Sequence, residues 1–169
     1  MNLEEFLQTK EDYKNALIGT IFADGYIEAK RTNGDNCNSY LEITHTSKNL
    51  DYLLFKKQLI ENFTGKEVSI SQHNKKNNTK EYSLFRLTTK KHEWFTELRE
   101  AIYDNTKKPR IKLFKKEYID KINELGLLLL YLDDGTLKMR YYPGTSKIRE
   151  CRVTFCLDSF TFNELKYFQ

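Results

Sequence analysis

Two stretches of this chain repeat one local plan: an apolar run suited to a helix, then a carboxylate, then glycine, then residues that alternate as a strand. The first is Leu17-Ile18-Gly19-Thr20-Ile21-Phe22-Ala23-Asp24-Gly25. The second is Leu127-Leu128-Leu129-Leu130-Tyr131-Leu132-Asp133-Asp134-Gly135. One Asp-Gly after a helix is an ordinary terminating turn. Two at equivalent places imply a chain built from two like units. Gly19 and Ala23, four residues apart, leave a smooth stripe along which a second helix can approach closely. If the two helices pack in parallel, Asp24 and Asp134 emerge side by side at the same end. Carboxylates at close quarters repel unless a cation lies between them. Hard oxygen ligands suit Mg²⁺. A metal so held can activate water and stabilise a leaving oxygen on a phosphodiester.

The periodicity around these stretches predicts a helix over Lys10–Phe22 with Gly25 as its C′ residue, and a strand over Tyr26–Lys30. A polar turn at 32–36 follows, then a strand over Tyr40–His45 with Leu41, Ile43 and His45 on one face. A second helix is expected over Asn49–Phe63, closed by Gly65. Val68–His73 and Glu81–Thr88 read as paired strands around a loop at 74–79. His92–Tyr103 has Trp94, Phe95, Leu98 and Ile102 at helical spacing. The order then restarts: a helix over Asn123–Leu132 ended by Asp133-Asp134-Gly135, a hairpin of Thr136–Tyr141 and Ile148–Cys156, and a helix capped by Ser159.

Net charge is only +4, but its distribution is uneven. Residues 1–65 carry 7 Lys and Arg against 10 Asp and Glu, residues 66–116 carry 14 against 6, and residues 136–152 carry 5 against 1. Positive charge concentrated in segments is the expected footprint of phosphate binding. Cys37, Cys151 and Cys156 form no CxxC pair, so neither a zinc site nor a disulfide framework is indicated, and a reducing intracellular compartment is expected. The first residues are too polar for a signal peptide. The run Leu127–Leu132 is too short to span a membrane. His45, His73 and His92 lie on separate elements without ligand spacing, and no Ser-His-Asp set or phosphate-cradling glycine loop is visible.

The two stretches resemble the paired signature motifs of the LAGLIDADG homing endonucleases. The first matches at Leu17, Gly19, Ile21, Ala23, Asp24 and Gly25. The second resembles the variant in the C-terminal half of single-chain members, an apolar-aromatic run ending in Asp-Asp-Gly. Asp158-Ser159-Phe160-Thr161-Phe162 resembles the family's opening of the next helix. Phe22 departs from the family by replacing its first aspartate. Leu128 and Leu129 replace small residues, so helix packing there is expected to be looser or offset.

The resemblance implies an α+β fold of two αββαββα-like repeats with antiparallel saddle sheets, the second repeat incomplete. Residues 1–105 would form the first repeat, 106–122 a basic linker with a short helix, and 123–169 the N-terminal part of the second. The chain is then expected to be a fragment or to complete itself with a partner. It would be monomeric when complete and prone to self-association otherwise. The implied activity is site-specific cleavage of double-stranded DNA with Mg²⁺ or Mn²⁺ held by Asp24 and Asp134. Lys112, or else Lys108, would be the basic residue of the active site. Saddle sheets would lie in the major groove, where alternate side chains reach base edges. The candidates for DNA contact are Glu28, Lys30, Arg31, Lys80, Tyr82, Arg86, Lys138, Arg140, Arg149 and Arg152, with Lys75, Lys76 and Lys108 meeting phosphate.

Two rivals stand beside this reading. Tyr131-Leu132-Asp133-Asp134 is also a YxDD string like that of reverse transcriptases, but there it sits at a strand turn, and the leucine run here favours a helix. A non-cleaving binder, such as a group I intron maturase with intron RNA as partner or a LAGLIDADG-type regulator, shares the fold. No splicing residues of an intein flank the motifs.

Overall fold

The structure, a computed structural model, describes residues 7–29, 38–77, 80–104, 106–107 and 111–168. Helix α1 (Lys10–Phe22) starts at a capping box: Asp12 N–H donates to Thr9 Oγ1, and Thr9 N–H donates to the Asp12 carboxylate at 2.8 Å. Every residue from Ala16 to Phe22 is buried. A helix half enclosed on all sides belongs to the core, not to a surface. Strands β1 (Tyr26–Glu28), β2 (Tyr40–Thr46), β3 (Ser69–Asn77) and β4 (Lys80–Thr88) form an antiparallel sheet in the order β1-β2-β4-β3. Ile27, Leu41, Ile43, His45 and Leu87 point inward, as the alternation in β2 requires. Helices α2 (Leu50–Thr64) and α3 (Glu93–Ile102) cover that face. Leu53, Leu59, Ile60 and Phe63 of α2 meet Trp94, Phe95, Leu98 and Ile102 of α3 in one core. Helix α2 stops at Gly65, whose φ of 65° is the left-handed conformation glycine adopts without penalty.

Beyond α3, residues 103–104 (β5) and 111–112 (β6) pair briefly, and a short helix α4 (Lys116–Ile119) precedes α5 (Glu124–Asp134). Strands β7 (Gly135–Tyr141) and β8 (Ile148–Phe155) then form a two-stranded ribbon, followed by one turn of helix, α6 (Phe162–Leu165). One ribbon face carries Leu137, Met139, Tyr141, Ile148 and Val153, all about half exposed. The other carries Lys138, Arg140, Glu150 and Arg152.

Helices α1 and α5 run in parallel. Asn123, the N-cap of α5, donates to the Asp12 carbonyl in the first turn of α1. At the other end Thr20 meets Asp133. Between them Gly19 abuts Gly126: a methyl on Gly19 would fall 1.9 Å from the Gly126 carbonyl oxygen. The close approach expected from Gly19 is therefore present. Its partner is Gly126, just ahead of the second motif, which is how Leu128 and Leu129 are accommodated. Leu129 is buried and Leu128 stays exposed.

Several expected boundaries move. Helix α5 continues through Asp134, so both aspartates belong to its last turn. That also removes the reverse-transcriptase reading, which needs Tyr131–Asp134 at a strand turn. Strand β3 runs through Asn77, because polar residues 74–77 pair across to β4 as well as apolar ones do. Ser159 is not a cap; Thr161 is, with Glu164 completing its capping box. Tyr103 leaves α3 and enters β5, its hydroxyl accepting the Ile27 N–H at 3.1 Å. Ala23, not Asp24, is the C-cap of α1, and Gly25 does not take the left-handed conformation expected of C′. Gly25 answers a steric need, since a methyl there would lie 2.8 Å from the Ile21 Cα. Residues 30–37 lie outside the described residues, and with them the end of the expected strand at Lys30 and the polar turn. Among the described residues no helix is long and apolar enough to cross a membrane.

Candidate active site

The parallel packing of α1 and α5 brings three carboxylates together. Asp24 follows α1 with its side chain 38% exposed, while the Asp133 side chain is fully enclosed. Burial pushes the Asp24 carboxyl up to about 6, with the neighbouring Asp133 and Asp134 charges adding to the rise and Lys56 and Lys112 opposing it. Burial, then Asp133, raises Asp134 above the ordinary carboxylate range as well. Mutually repelling carboxylates of this kind are what a hard divalent cation relieves.

Lys112, partly buried on β6, reaches the C-terminal end of α1 and donates to the carbonyls of Ala23 at 2.7 Å and Phe22 at 3.4 Å. A cation belongs there, where helix carbonyls lack partners and the helix dipole is negative. Burial lowers the Lys112 ammonium to about 8, with Asp134, Asp24 and Asp133 holding it up. The structure thus brings Asp24, Asp134 and Lys112 into one electrostatic neighbourhood. Lys108 lies outside the described residues.

Five members of the site go beyond the sequence expectations: Asp133, Lys56, Thr20, His45 and Tyr52. Lys56, fully buried on α2, donates to Asp133 Oδ1 at 2.6 Å and Oδ2 at 2.8 Å and lies 3.0 Å from His45 Nε2. Thr20 donates to Asp133 Oδ2 at 2.6 Å. His45, dismissed for want of ligand spacing, sits with Nδ1 3.6 Å from Asp24 Oδ2. Burial, then the Lys56 charge, lowers His45 to about 4, so the ring is neutral near physiological pH. The Tyr52 ring lies 4.4 Å from the Lys56 ammonium. Ligand atoms of Asp24, His45 and Asp133 all lie within 4.8 Å of one another. Both oxygens of Asp133 are already engaged by Lys56 and Thr20, so an ion there would have to displace a buried ammonium.

The expected DNA-contacting residues divide between the two sheets. Tyr82 and Arg86 share the outer face of the first sheet, and Lys75 joins them opposite Tyr82. Lys75 is thus a strand residue, not a loop lysine. Lys76 and Lys80 are strand residues too, in β3 and β4, their side chains not among those described. Glu28 is partly buried on β1, and Lys30 and Arg31 lie outside the described residues. Arg86 is 3.9 Å from Glu42 on the same face. Lys138, Arg140 and Arg152 share the charged face of the ribbon, with both arginines paired to Glu150. Arg149 is the extra residue of a bulge beside Tyr141.

No curated protein matches the chain in sequence. A solved structure, the homing endonuclease I-WcaI bound to its DNA recognition sequence, is similar in fold. It has a TM-score of 0.69 and 17% identity, over 98% of this chain and 70% of that one. The family model of the LAGLIDADG DNA endonuclease family matches residues 14–169. With its two motif helices side by side and a carboxylate at the end of each, the chain belongs to the LAGLIDADG DNA endonuclease family.

Proposed function

We propose that this protein cleaves double-stranded DNA at a specific site by metal-dependent hydrolysis, with Mg²⁺ or Mn²⁺ held by Asp24 and Asp134. The observation that carries the reading is the convergence of two partly exposed, mutually repelling carboxylates at the ends of parallel helices, beside a lysine with a lowered pKa. When bound, the ion would stabilise charge on phosphodiester oxygens and activate the attacking water. Lys112, near 8, can give or take a proton at neutral pH and places positive charge beside the phosphate. Its bonds to the end of α1 fix it relative to Asp24. The outer face of the first sheet and the charged ribbon face would read and hold the duplex.

Incubation with Mg²⁺ and a library of duplexes, sequenced at the cut ends, should return one family of sites and no cuts in EDTA. Binding without cuts at any divalent ion would leave a non-cleaving binder, for which intron RNA is the partner to test. Within the DNA face, Arg86→Ala or Arg140→Ala should shift base preference or weaken binding by about 1–3 kcal/mol, as removal of a base-reading arginine does. Lys75→Ala, on the same face as Arg86 but close to the β3–β4 turn, should weaken binding uniformly across sequences and reduce the salt slope by about 1, as loss of a phosphate contact does. Identical sequence profiles and salt slopes in all three variants would show the DNA face to be misplaced.

A further inference from the structure

Ligand atoms of Asp24, His45 and Asp133 have the spacing of a three-ligand metal site, yet the Lys56 ammonium already stands between Asp133 and His45. The Lys56 ammonium has three N–H donors and no acceptor. Two are directed at the oxygens of Asp133, and the third faces His45 Nε2 at 3.0 Å. Burial works against the ammonium charge and the paired Asp133 carboxylate sustains it; facing an ammonium, Nε2 accepts. A neutral imidazole carries one proton, which is left to Nδ1, the nitrogen 3.6 Å from Asp24 Oδ2. We propose that Asp133, Lys56 and His45 form a buried relay that locks His45 as its Nδ1-protonated tautomer, so that it offers Asp24 an N–H donor and is itself no metal ligand.

The relay is built from both motif helices and from the elements between them. Asp133 stands on α5 and is held from α1 by Thr20. Lys56 comes from α2 and His45 from the inward face of β2, both enclosed in the core. The Tyr52 ring, 4.4 Å from Lys56 and 5.4 Å from the His45 ring, closes the cluster on another side. No member is free to turn away, so Nδ1 is held facing Asp24. At 3.6 Å the two groups face each other just beyond hydrogen-bond distance. His45 and Lys56 are thus positioning residues, which would act on a metal held by Asp24 without touching it. The outer partners of metal ligands orient them and change affinity without touching the ion. This last consequence rests on the proposed role of Asp24; the tautomer does not.

Long-range ¹H–¹⁵N spectra of the labelled, metal-free chain read the tautomer directly. The expected result is a protonated Nδ1 and an unprotonated Nε2 on His45, the reverse of the preference of a free histidine side chain. A proton on Nε2 in the wild-type protein overturns the proposal. Lys56→Met alone strands a buried carboxylate and endangers the fold, so the informative variant is Lys56→Met with Asp133→Leu, which removes one charge of each sign. In that folded double variant, His45 should shift toward the Nε2-protonated form. Mn²⁺, followed by its free-ion electron paramagnetic resonance signal, should bind about 10-fold more weakly. An unchanged Mn²⁺ affinity would equally overturn the positioning role. A wild-type chain with the expected tautomer and Mn²⁺ binding but no DNA cleavage would remove the proposed function and leave the relay standing.

Discussion

Asp24→Asn and Asp134→Asn are each expected to slow DNA cleavage in Mg²⁺ by on the order of 10²–10³-fold or more, the scale on which one preorganised electrostatic contact acts. Target binding should persist, because neither carboxylate lies on the sheet faces. Single-turnover cleavage beside a filter-binding isotherm measures both. Cleavage that survives either change would remove the shared-metal mechanism. Asp24→Asn carries a second signature. Without metal the Asp24 carboxyl titrates near 6, against 3.8 for an ordinary aspartate. The native state then holds this proton more tightly than the unfolded chain. The group therefore favours folding below 3.8, and that contribution is lost as pH rises through 6. In EDTA at neutral pH the asparagine variant should thus melt above the wild type, with the gap closing as pH falls through this window. An inactive variant that is also less stable at neutral pH would mean that Asp24 is a structural ion-pair partner instead.

Gly19→Ala is expected to destabilise the protein by about 3 kcal/mol or more, and Gly19→Val to prevent folding. The added carbon meets the Gly126 backbone carbonyl at 1.9 Å, and a backbone group, unlike a side chain, cannot swing aside. Overpacking within a well-filled core already costs about 1–3 kcal/mol, a large part of the 5–15 kcal/mol typical of a whole domain. Gly144→Asn is the control. Its site is open, and only its φ of 73° is at stake, a conformation asparagine tolerates. Urea midpoints of the two variants should separate widely. A Gly19→Ala midpoint close to wild type would mean that the helices cross with more room than the geometry allows.

Much of the fold was legible because the core imposes period. Leu41, Ile43 and His45 alternate in β2, which gives that strand and its inward face, and the apolar recurrence that buries Leu53, Leu59, Ile60 and Phe63 gives α2 as a helix. Asp24 and Asp134 were legible because each closes an apolar helix before a glycine. The relay was harder to see. His45 was already placed on the core side of its strand, and Lys56 falls within the buried stripe of α2 between Leu53 and Leu59. A polar group at each of two core positions was the available signal. What sequence lacks is the pairing, since Lys56 meets Asp133 across 77 positions of chain. Strand β3 outruns its sequence signal for a related reason. Residues 74–77 look like a loop by composition, and only their partners on β4 make them strand.

The ribbon of β7 and β8 has a consequence for how the two halves of a duplex would be held. Strands β2 and β4 sit in a four-stranded sheet roofed by two helices, whereas the ribbon has two strands and leaves its apolar face half exposed. Local opening follows the amount of buried contact, so the ribbon amides should exchange with deuterium far sooner than those of β2. Whatever nucleic acid lies on Lys138, Arg140 and Arg152 must first suppress that opening, which lowers the net affinity available on this side. On the proposed DNA faces, binding by this chain is then expected to fall more for mismatches under the first sheet than for mismatches under the ribbon, as measured on duplexes altered at either end.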